Sequence, residues 1–136
     1  RMEDAQRLID AALEAKRRGV VAIAVTSREF AEGVPPDTPA RHPSKQNLCD
    51  LADITIDCHV PPGDAILEIS EVDHKVASAS TFPVVLIVNS LVALVVERMA
   101  QRGLAPLVRY SANLPGGRER SLKIQEKYRG RIVHQY

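Results

Sequence analysis

The sequence predicts an α/β fold built on a parallel sheet, and three observations carry that prediction. Ala5, Leu8, Ile9, Ala12 and Leu13 recur at helical spacing through residues 3 to 18, and Gly19 stops the helix after the basic turn Lys16-Arg17-Arg18. Directly behind it, Val20-Val21-Ala22-Ile23-Ala24-Val25 is a continuous apolar run rich in β-branched residues, as expected of a strand covered on both faces. A second strand, Asp53-Ile54-Thr55-Ile56-Asp57-Cys58, and a long apolar helix from about Phe82 to Arg102 continue the alternation.

The remaining elements are read in order. From Thr26 to Lys45 the chain is rich in Pro, Ser and charge, and Pro35, Pro36, Pro39 and Pro43 exclude regular structure over most of it. A loop of that length in a compact domain is usually functional or disordered. A helical turn over Gln46 to Leu51 precedes the second strand. After the turn Pro61-Pro62-Gly63-Asp64, residues Ala65 to Ile69 form a short strand or an extended connection. The long helix ends at Gly103, residues 105 to 110 are extended, Leu114-Pro115-Gly116-Gly117 is a turn, and Arg118 to Tyr128 is a charged amphipathic helix. Two strands do not make a stable doubly wound sheet. The chain also opens with Arg1-Met2 on a helix, where such folds place a strand and its phosphate-binding turn, so the fold reads as incomplete at the N-terminus: either the chain is part of a longer protein or the missing layer comes from another copy.

Composition narrows the functional classes. With 45% hydrophobic and 26% charged residues in 136, the chain suits one globular domain. Eighteen basic and seventeen acidic residues leave a net charge of +1, and 4% aromatic content offers few stacking surfaces, so no nucleic-acid partner is expected. Cys49 and Cys58 form no disulfide framework or metal spacing, and no charged-then-apolar leader opens the chain, which suits a reduced, cytoplasmic setting. The apolar run Phe82 to Val96 is short for a span and interrupted by Pro83, Asn89 and Ser90. It reads as a helix buried in a core or at a subunit interface, with no membrane partner.

The run Val76-Ala77-Ser78-Ala79-Ser80-Thr81 leads straight into that helix. A helix starting there directs unpaired backbone N–H groups, the positive end of its dipole and several hydroxyls at one point, the chemistry that an anion such as a phosphate needs.

Several ordered segments carry a family resemblance. They are Ala15-Lys16-Arg17-Arg18-Gly19 with Val25-Thr26-Ser27; Arg41-His42-Pro43-Ser44; Ala52-Asp53 with Ile56-Asp57; Pro62-Gly63-Asp64-Ala65; Lys75-Val76 with Ser80-Thr81; and Ser111-Ala112-Asn113 with Gly116-Gly117. In this order the chain resembles the C-terminal half of the sugar isomerase (SIS) domain, and within it the small, stand-alone bacterial branch. The resemblance implies a three-layer αβα fold with a parallel sheet, a sugar phosphate as ligand, assembly as a homodimer or larger homo-oligomer, and aldose/ketose phosphate isomerase activity in the complete form. It implies no cofactor. Two upstream signatures of such proteins, a Gly-Ser-Gly-His-Ser turn and a Thr/Ser-Ser-Gly turn, do not occur here.

Against that background the candidate ligand-binding residues are Ser78, Ser80, Thr81 and Asn113, and the candidate catalytic residues are Glu68, His42 and His74. Ser80 and Thr81 can accept from helix amides and donate to a ligand oxygen, although Ser and Thr are also ordinary N-caps. Ser78 replaces a proline common in the nearest relatives, and Val76-Ala77-Ser78 resembles the sugar-contacting loop of the synthase branch. Isomerisation needs a base to move a proton between adjacent carbons, which Glu68 or His74 can supply from just before that loop. Glu68 matches an acidic position of the family, whereas His74 stands where glutamine is usual. His42, on the Pro-rich loop with Arg41, Ser44 and Lys45, can close over a substrate or stay solvated. His59 follows the second strand, where ligands gather in open parallel sheets. Asn113 precedes the Gly-Gly turn, where an Asn equally stabilises the turn itself. No spacing of His, Cys, Asp and Glu makes a metal site. Asn89 and Ser90 need partners once buried, and pairing across a two-fold axis would supply them.

Two alternative readings accompany the isomerase: a non-catalytic sugar-phosphate sensor, and a truncated remnant that only oligomerises.

Overall fold

The computed structural model describes residues 2–130. Helix α1 (Met2–Arg17) ends as the sequence predicts, with Gly19 left-handed at φ 67°. The Val20 amide reaches back to Ala15 O at 2.9 Å and the Gly19 amide to Lys16 O at 3.1 Å, the paired bonds of a Schellman cap. That cap takes Val20 out of the strand. Strand β1 is therefore Ile23–Thr26, shorter at its start than the apolar run.

β1 pairs in parallel with β2 (Ile54–Asp57), with Ile23 opposite Ile54 and Thr26 opposite Asp57. Asp53 sets this register: its carboxylate accepts from the Ala22 amide at 2.8 Å while its own amide donates to Ala22 O at 3.0 Å. Between the two strands the Pro-rich segment holds a helix the sequence reading missed, α2 (Arg28–Gly33). It lies entirely before Pro35, so the prolines do not oppose it. Ser27 caps it, accepting from the Phe30 amide at 3.2 Å and donating to Val60 O at 2.6 Å from a buried position.

Helix α3 (Leu48–Leu51) starts at Asn47, whose amide donates to the Asp50 carboxylate at 2.8 Å. Ile9 and Ala12 of α1 pack with Leu51 of α3 into one buried cluster, flanked by Leu13 and Leu48. Ile9, Ala12 and Leu13 of the predicted stripe thus meet a partner supplied by one turn of helix, whereas Leu8 is 58% exposed and the Ala5 side chain lies outside the described residues.

Strands β3 (Ala65–Leu67) and β4 (Val76–Ser78) form an antiparallel hairpin, with Ala65 opposite Ser78 and Leu67 opposite Val76. The sequence reading held Ala65 to Ile69 as a strand or an extended connection; β4 it did not foresee. The described residues are thus mixed α/β, with one two-stranded parallel sheet and one two-stranded antiparallel sheet.

Helix α4 (Thr81–Gln101) begins and ends within a residue of the predicted bounds and closes in a second Schellman cap at Gly103 (φ 71°). Leu104 and Gly103 amides donate to Met99 O and Ala100 O. Pro83 sits in the first turn, where a missing N–H costs nothing. The expected burial is not met within the chain: none of the α4 residues is buried.

The chain divides into two compact units, Arg1–Asn89 and Ser90–Tyr136. In the second, residues 105–110 are not part of any described strand. Helix α5 (Gly117–Lys127) follows the predicted turn. There Ser121 Oγ donates to Tyr110 O at 3.0 Å, and the Arg120 guanidinium stacks 4.8 Å from the Tyr110 ring centre.

Candidate functional site

The hydroxyls and amides before α4 converge on a single anion, and that anion belongs to the protein. Asp64, at φ 66° after the Pro61-Pro62-Gly63 turn, points its carboxylate at the start of the helix. Its Oδ1 accepts from the Ser80 amide at 2.7 Å and the Ala79 amide at 3.1 Å. Its Oδ2 accepts from Ser80 Oγ at 3.0 Å and from Ser78 Oγ. α4 has no acidic residue in its own first turn, so Asp64 supplies the negative charge that the dipole favours there. The Ser78 hydroxyl, and after it the Ser80 and Ala79 donors, hold the Asp64 carboxyl below its usual range, with burial pushing the other way.

The backbone feeding this cluster is strained. Ala77 stands between the two sheet-paired residues Val76 and Ser78 at φ 65°, a left-handed conformation that an alanine rarely adopts. The strain turns Ser78, Ala79 and Ser80 so that their donors face one point.

Thr81 opens the helix in an exposed position, and its hydroxyl has no hydrogen bond to protein among the described residues. Of the predicted anion group, Ser78 and Ser80 are thus joined through Asp64, and Thr81 lies beside them. Asp64 was quoted in the sequence reading only as part of Pro62-Gly63-Asp64-Ala65. The signal that could have singled it out is an acidic residue leaving a Pro-Gly turn just ahead of a hairpin that leads to a helix without its own acidic cap.

Glu68 and His74 come together elsewhere. Both line an open cleft of about 480 Å³ formed by residues 68–75 between β3 and β4. Glu68 pairs with Lys75 at 3.2 Å and His74 Nδ1 lies 2.7 Å from Asp73 Oδ1, all on exposed side chains. Ion pairs so exposed are worth little in stability. No described hydrogen bond links either residue to the Ser78–Ser80 donors.

His42 is held in a third place. Its side chain is only 13% exposed, with Nε2 3.0 Å from Asp10 Oδ1 on α1 and Nδ1 2.8 Å from Ser44 Oγ. The Ser44 amide also donates to Nδ1 at 3.1 Å, which puts the proton of the neutral ring on Nε2, facing Asp10. Next to it Arg41 pins the Pro-rich loop: its guanidinium donates to Ala31 O at 2.6 Å, to Val34 O and to Asn47 Oδ1. A cleft of about 210 Å³ opens between this loop and α1, lined by Leu8, Ile9, Arg41, His42 and Leu48 among others. His42 is therefore a fixed residue rather than one on a free loop. Asp10, which holds it there together with Ser44, was not singled out in the sequence.

His59 is exposed at φ 52°, its amide donating to Asp57 Oδ1 at 2.9 Å. That bond, ahead of a smaller contribution from the Arg28 amide, holds the Asp57 carboxyl below its usual range against the push of burial. Asn113 lies in the second unit, where its amide donates to Ser111 Oγ at 3.3 Å, a turn contact. The adjacent Gly117 is buried, and a Cβ there would stand 1.8 Å from Ser111 O. Packing thus requires the glycine at 117, whereas Gly116 has open space around it and is favoured by its left-handed φ of 73°. Asn89, expected to need a partner across a two-fold axis, donates to Val85 O of its own helix at 2.9 Å. Among the described residues no group of three or more His, Cys, Asp or Glu is placed to hold a metal ion.

No protein-family model matches the chain. It is 38% identical over 128 residues to a UPF0309 protein of Caldanaerobacter subterraneus, covering 93% of this chain and 50% of that protein. It is also 38% identical over 124 residues to a UPF0309 protein of Geobacillus thermodenitrificans, covering 91% of this chain and 48% of that protein. A UPF0309 protein of Listeria monocytogenes is 34% identical over 119 residues, covering 88% and 49% of the two chains. The homologues of this chain are therefore UPF0309 family proteins, of which it spans about half the length.

Proposed function

We propose that this chain is part of a cytoplasmic, phosphosugar-binding protein of the SIS type, with a three-layer αβα fold when complete, and that the start of α4 receives the phosphate. The single observation that supports this most is the bonding of Asp64. Four donors from Ser78, Ala79 and Ser80 already converge on one anionic group at a helix N-terminus. A phosphate offers more charge and more acceptor oxygens than a carboxylate, so it competes for the same donors once the Asp64 turn moves aside. Thr81 is free to add its hydroxyl. In this reading the complete protein is a homodimer or larger homo-oligomer, without a cofactor and without nucleic-acid or membrane partners.

Catalysis would fall to Glu68 or His74 in the neighbouring stretch, with Glu68 the residue the family pattern favours, and to His42 if its loop faces the sugar. A second reading, a sensor that binds a sugar phosphate without turning it over, is favoured by a specific observation. The Ser78–Ser80 donors and the Glu68–His74 cleft belong to separate bonding groups. A base must reach the proton it moves, so the isomerase reading requires the sugar to bridge the two groups.

Thermal stabilisation by aldose and ketose phosphates tests the site. The wild type is expected to be stabilised, and a Ser80→Ala, Thr81→Ala double variant to lose most of that shift. Equal shifts in both proteins would place the anion elsewhere.

A further inference from the structure

Arg41 stands between two clefts. The cleft of about 210 Å³ beside α1 and a second, of about 430 Å³ between α2 and the Pro-rich loop, are both lined by Thr26, Ala40 and Arg41. Phe30, Ala31 and Val34 give the larger one an apolar wall. Its volume is that of small-molecule sites, which are mostly apolar with a few placed polar groups. Thr26 ends β1, so the cleft opens at the carboxyl end of the parallel pair, where open α/β sheets bind ligands.

The charged group in this wall is incompletely bonded. A guanidinium carries five N–H donors and a permanent charge. Nη1 of Arg41 donates to Asn47, a residue of the smaller cleft; Nη2 donates to Ala31 O at 2.6 Å and to Val34 O, both of the larger. Nε donates to nothing: among the described residues it is the one buried side-chain nitrogen or oxygen without a hydrogen bond. Every acceptor of Arg41 is a neutral oxygen, and no ion pair among the described residues includes it. The acidic residues nearby are engaged elsewhere, Asp37 with Lys45 at 2.9 Å and Asp10 with His42. Buried charges are normally paired. Water would satisfy Nε without balancing the charge, whereas an anion does both.

We infer that the α2 cleft binds a small organic carboxylate with an apolar body, held by Arg41. One carboxylate oxygen accepts from Nε and the other replaces a carbonyl at Nη2, a bidentate pairing stronger than the neutral bonds it displaces. Phe30, Ala31 and Val34 cover the body. A sugar would leave its hydroxyls unpaired against that wall; an apolar body does not. The site shares no residue with the Ser78–Ser80 donors and does not depend on a phosphate binding there.

The test titrates the full chain with cinnamate and with cinnamamide, which has the same body and no charge. It follows the Arg41 Nε–Hε resonance and the backbone amides of Phe30, Ala31 and Val34. Cinnamate is expected to shift these signals to saturation and to bind at least about tenfold more tightly than the amide, the margin of a charged over a neutral hydrogen bond. Arg41→Gln should bring the two affinities together. Val34→Trp fills the cleft yet keeps the backbone carbonyl that Arg41 uses, and should abolish binding of both compounds. Circular dichroism of each variant verifies its fold, and if Arg41→Gln does not fold, the wild-type comparison and Val34→Trp decide. Equal affinities for cinnamate and cinnamamide in the wild type would overturn the inference. So would the absence of saturable cinnamate binding, saturation that leaves the Arg41 resonance in place, undiminished binding by Val34→Trp, or shifts at these amides that follow protein dilution instead of added cinnamate.

Discussion

Helices α1 and α4 end in the same way and are buried in opposite ways. Both close on a left-handed glycine with paired Schellman bonds, at Gly19 and Gly103. α1, polar on most of its surface, buries Ile9 and Ala12 against Leu51. α4, far more apolar, has no buried residue. A single stripe needs one neighbour, and four residues of α3 suffice. A helix apolar all round needs several neighbours, and the residues near it in sequence do not supply them. Local signals fix where a helix stops; burial depends on what other layers are present.

The largest expected effect sets the two helices directly against each other. Ile9→Ala should lower stability by about 2–5 kcal/mol, as for other buried aliphatic truncations. Leu86→Ala on α4 should change it by no more than about 0.5 kcal/mol in the chain alone. Denaturant unfolding of both variants measures the contrast, and similar losses would mean that α4 is packed in solution.

Arg41→Met comes next. It leaves the Ala31 and Val34 carbonyls and the Asn47 side chain without their donor, at a cost of about 1–3 kcal/mol. Thermal melts should show that loss, and limited proteolysis should cut between residues 34 and 46 faster than in the wild type.

Ala77→Gly tests the strain before α4. Relief of a left-handed alanine is worth about 1–2 kcal/mol, offset by about 0.5–1 kcal/mol of added unfolded-state freedom. A net gain of a few tenths to about 1 kcal/mol should appear in denaturant unfolding. A loss would show that the position is not left-handed.

The smallest effect is on acid stability. The Asp64 carboxyl is held below its ordinary range, so its bonds to Ser78, Ala79 and Ser80 contribute fully above the pKa of the unfolded carboxyl. That contribution falls away as pH drops through the lower folded value. Asp64→Asn should therefore be less stable than wild type at neutral pH and should approach it in acid, a convergence that melts between pH 7 and pH 2 would record.

The sequence made parts of this legible and hid others for physical reasons. The bounds of α1, α4 and α5 followed from glycine caps and apolar spacing, and β2 from a β-branched run. Ser80 and Thr81 were visible as hydroxyls before an apolar helix. β4 was not, because three residues with a left-handed alanine in the middle have no periodicity. α2 lay hidden under the expectation that prolines exclude regular structure over most of Thr26 to Lys45, although its own residues precede the first of those prolines. The role of Asp64 depends on a contact across the β3–β4 hairpin, some fifteen residues away in sequence, which no local pattern reports. His42 was readable as a loop histidine, but its fixation by Asp10 joins residues 32 positions apart.

The most direct measurement of the proposed anion site is a titration of the chain with an aldose phosphate, followed through the backbone amide resonances of Ala79 and Ser80. Exchange of a carboxylate for a phosphate at those two donors predicts saturable shifts at Ala79, Ser80 and Thr81, larger in Asp64→Asn than in wild type. Resonances that stay in place while ligand saturates elsewhere, or that never move at any ligand concentration, would contradict the account.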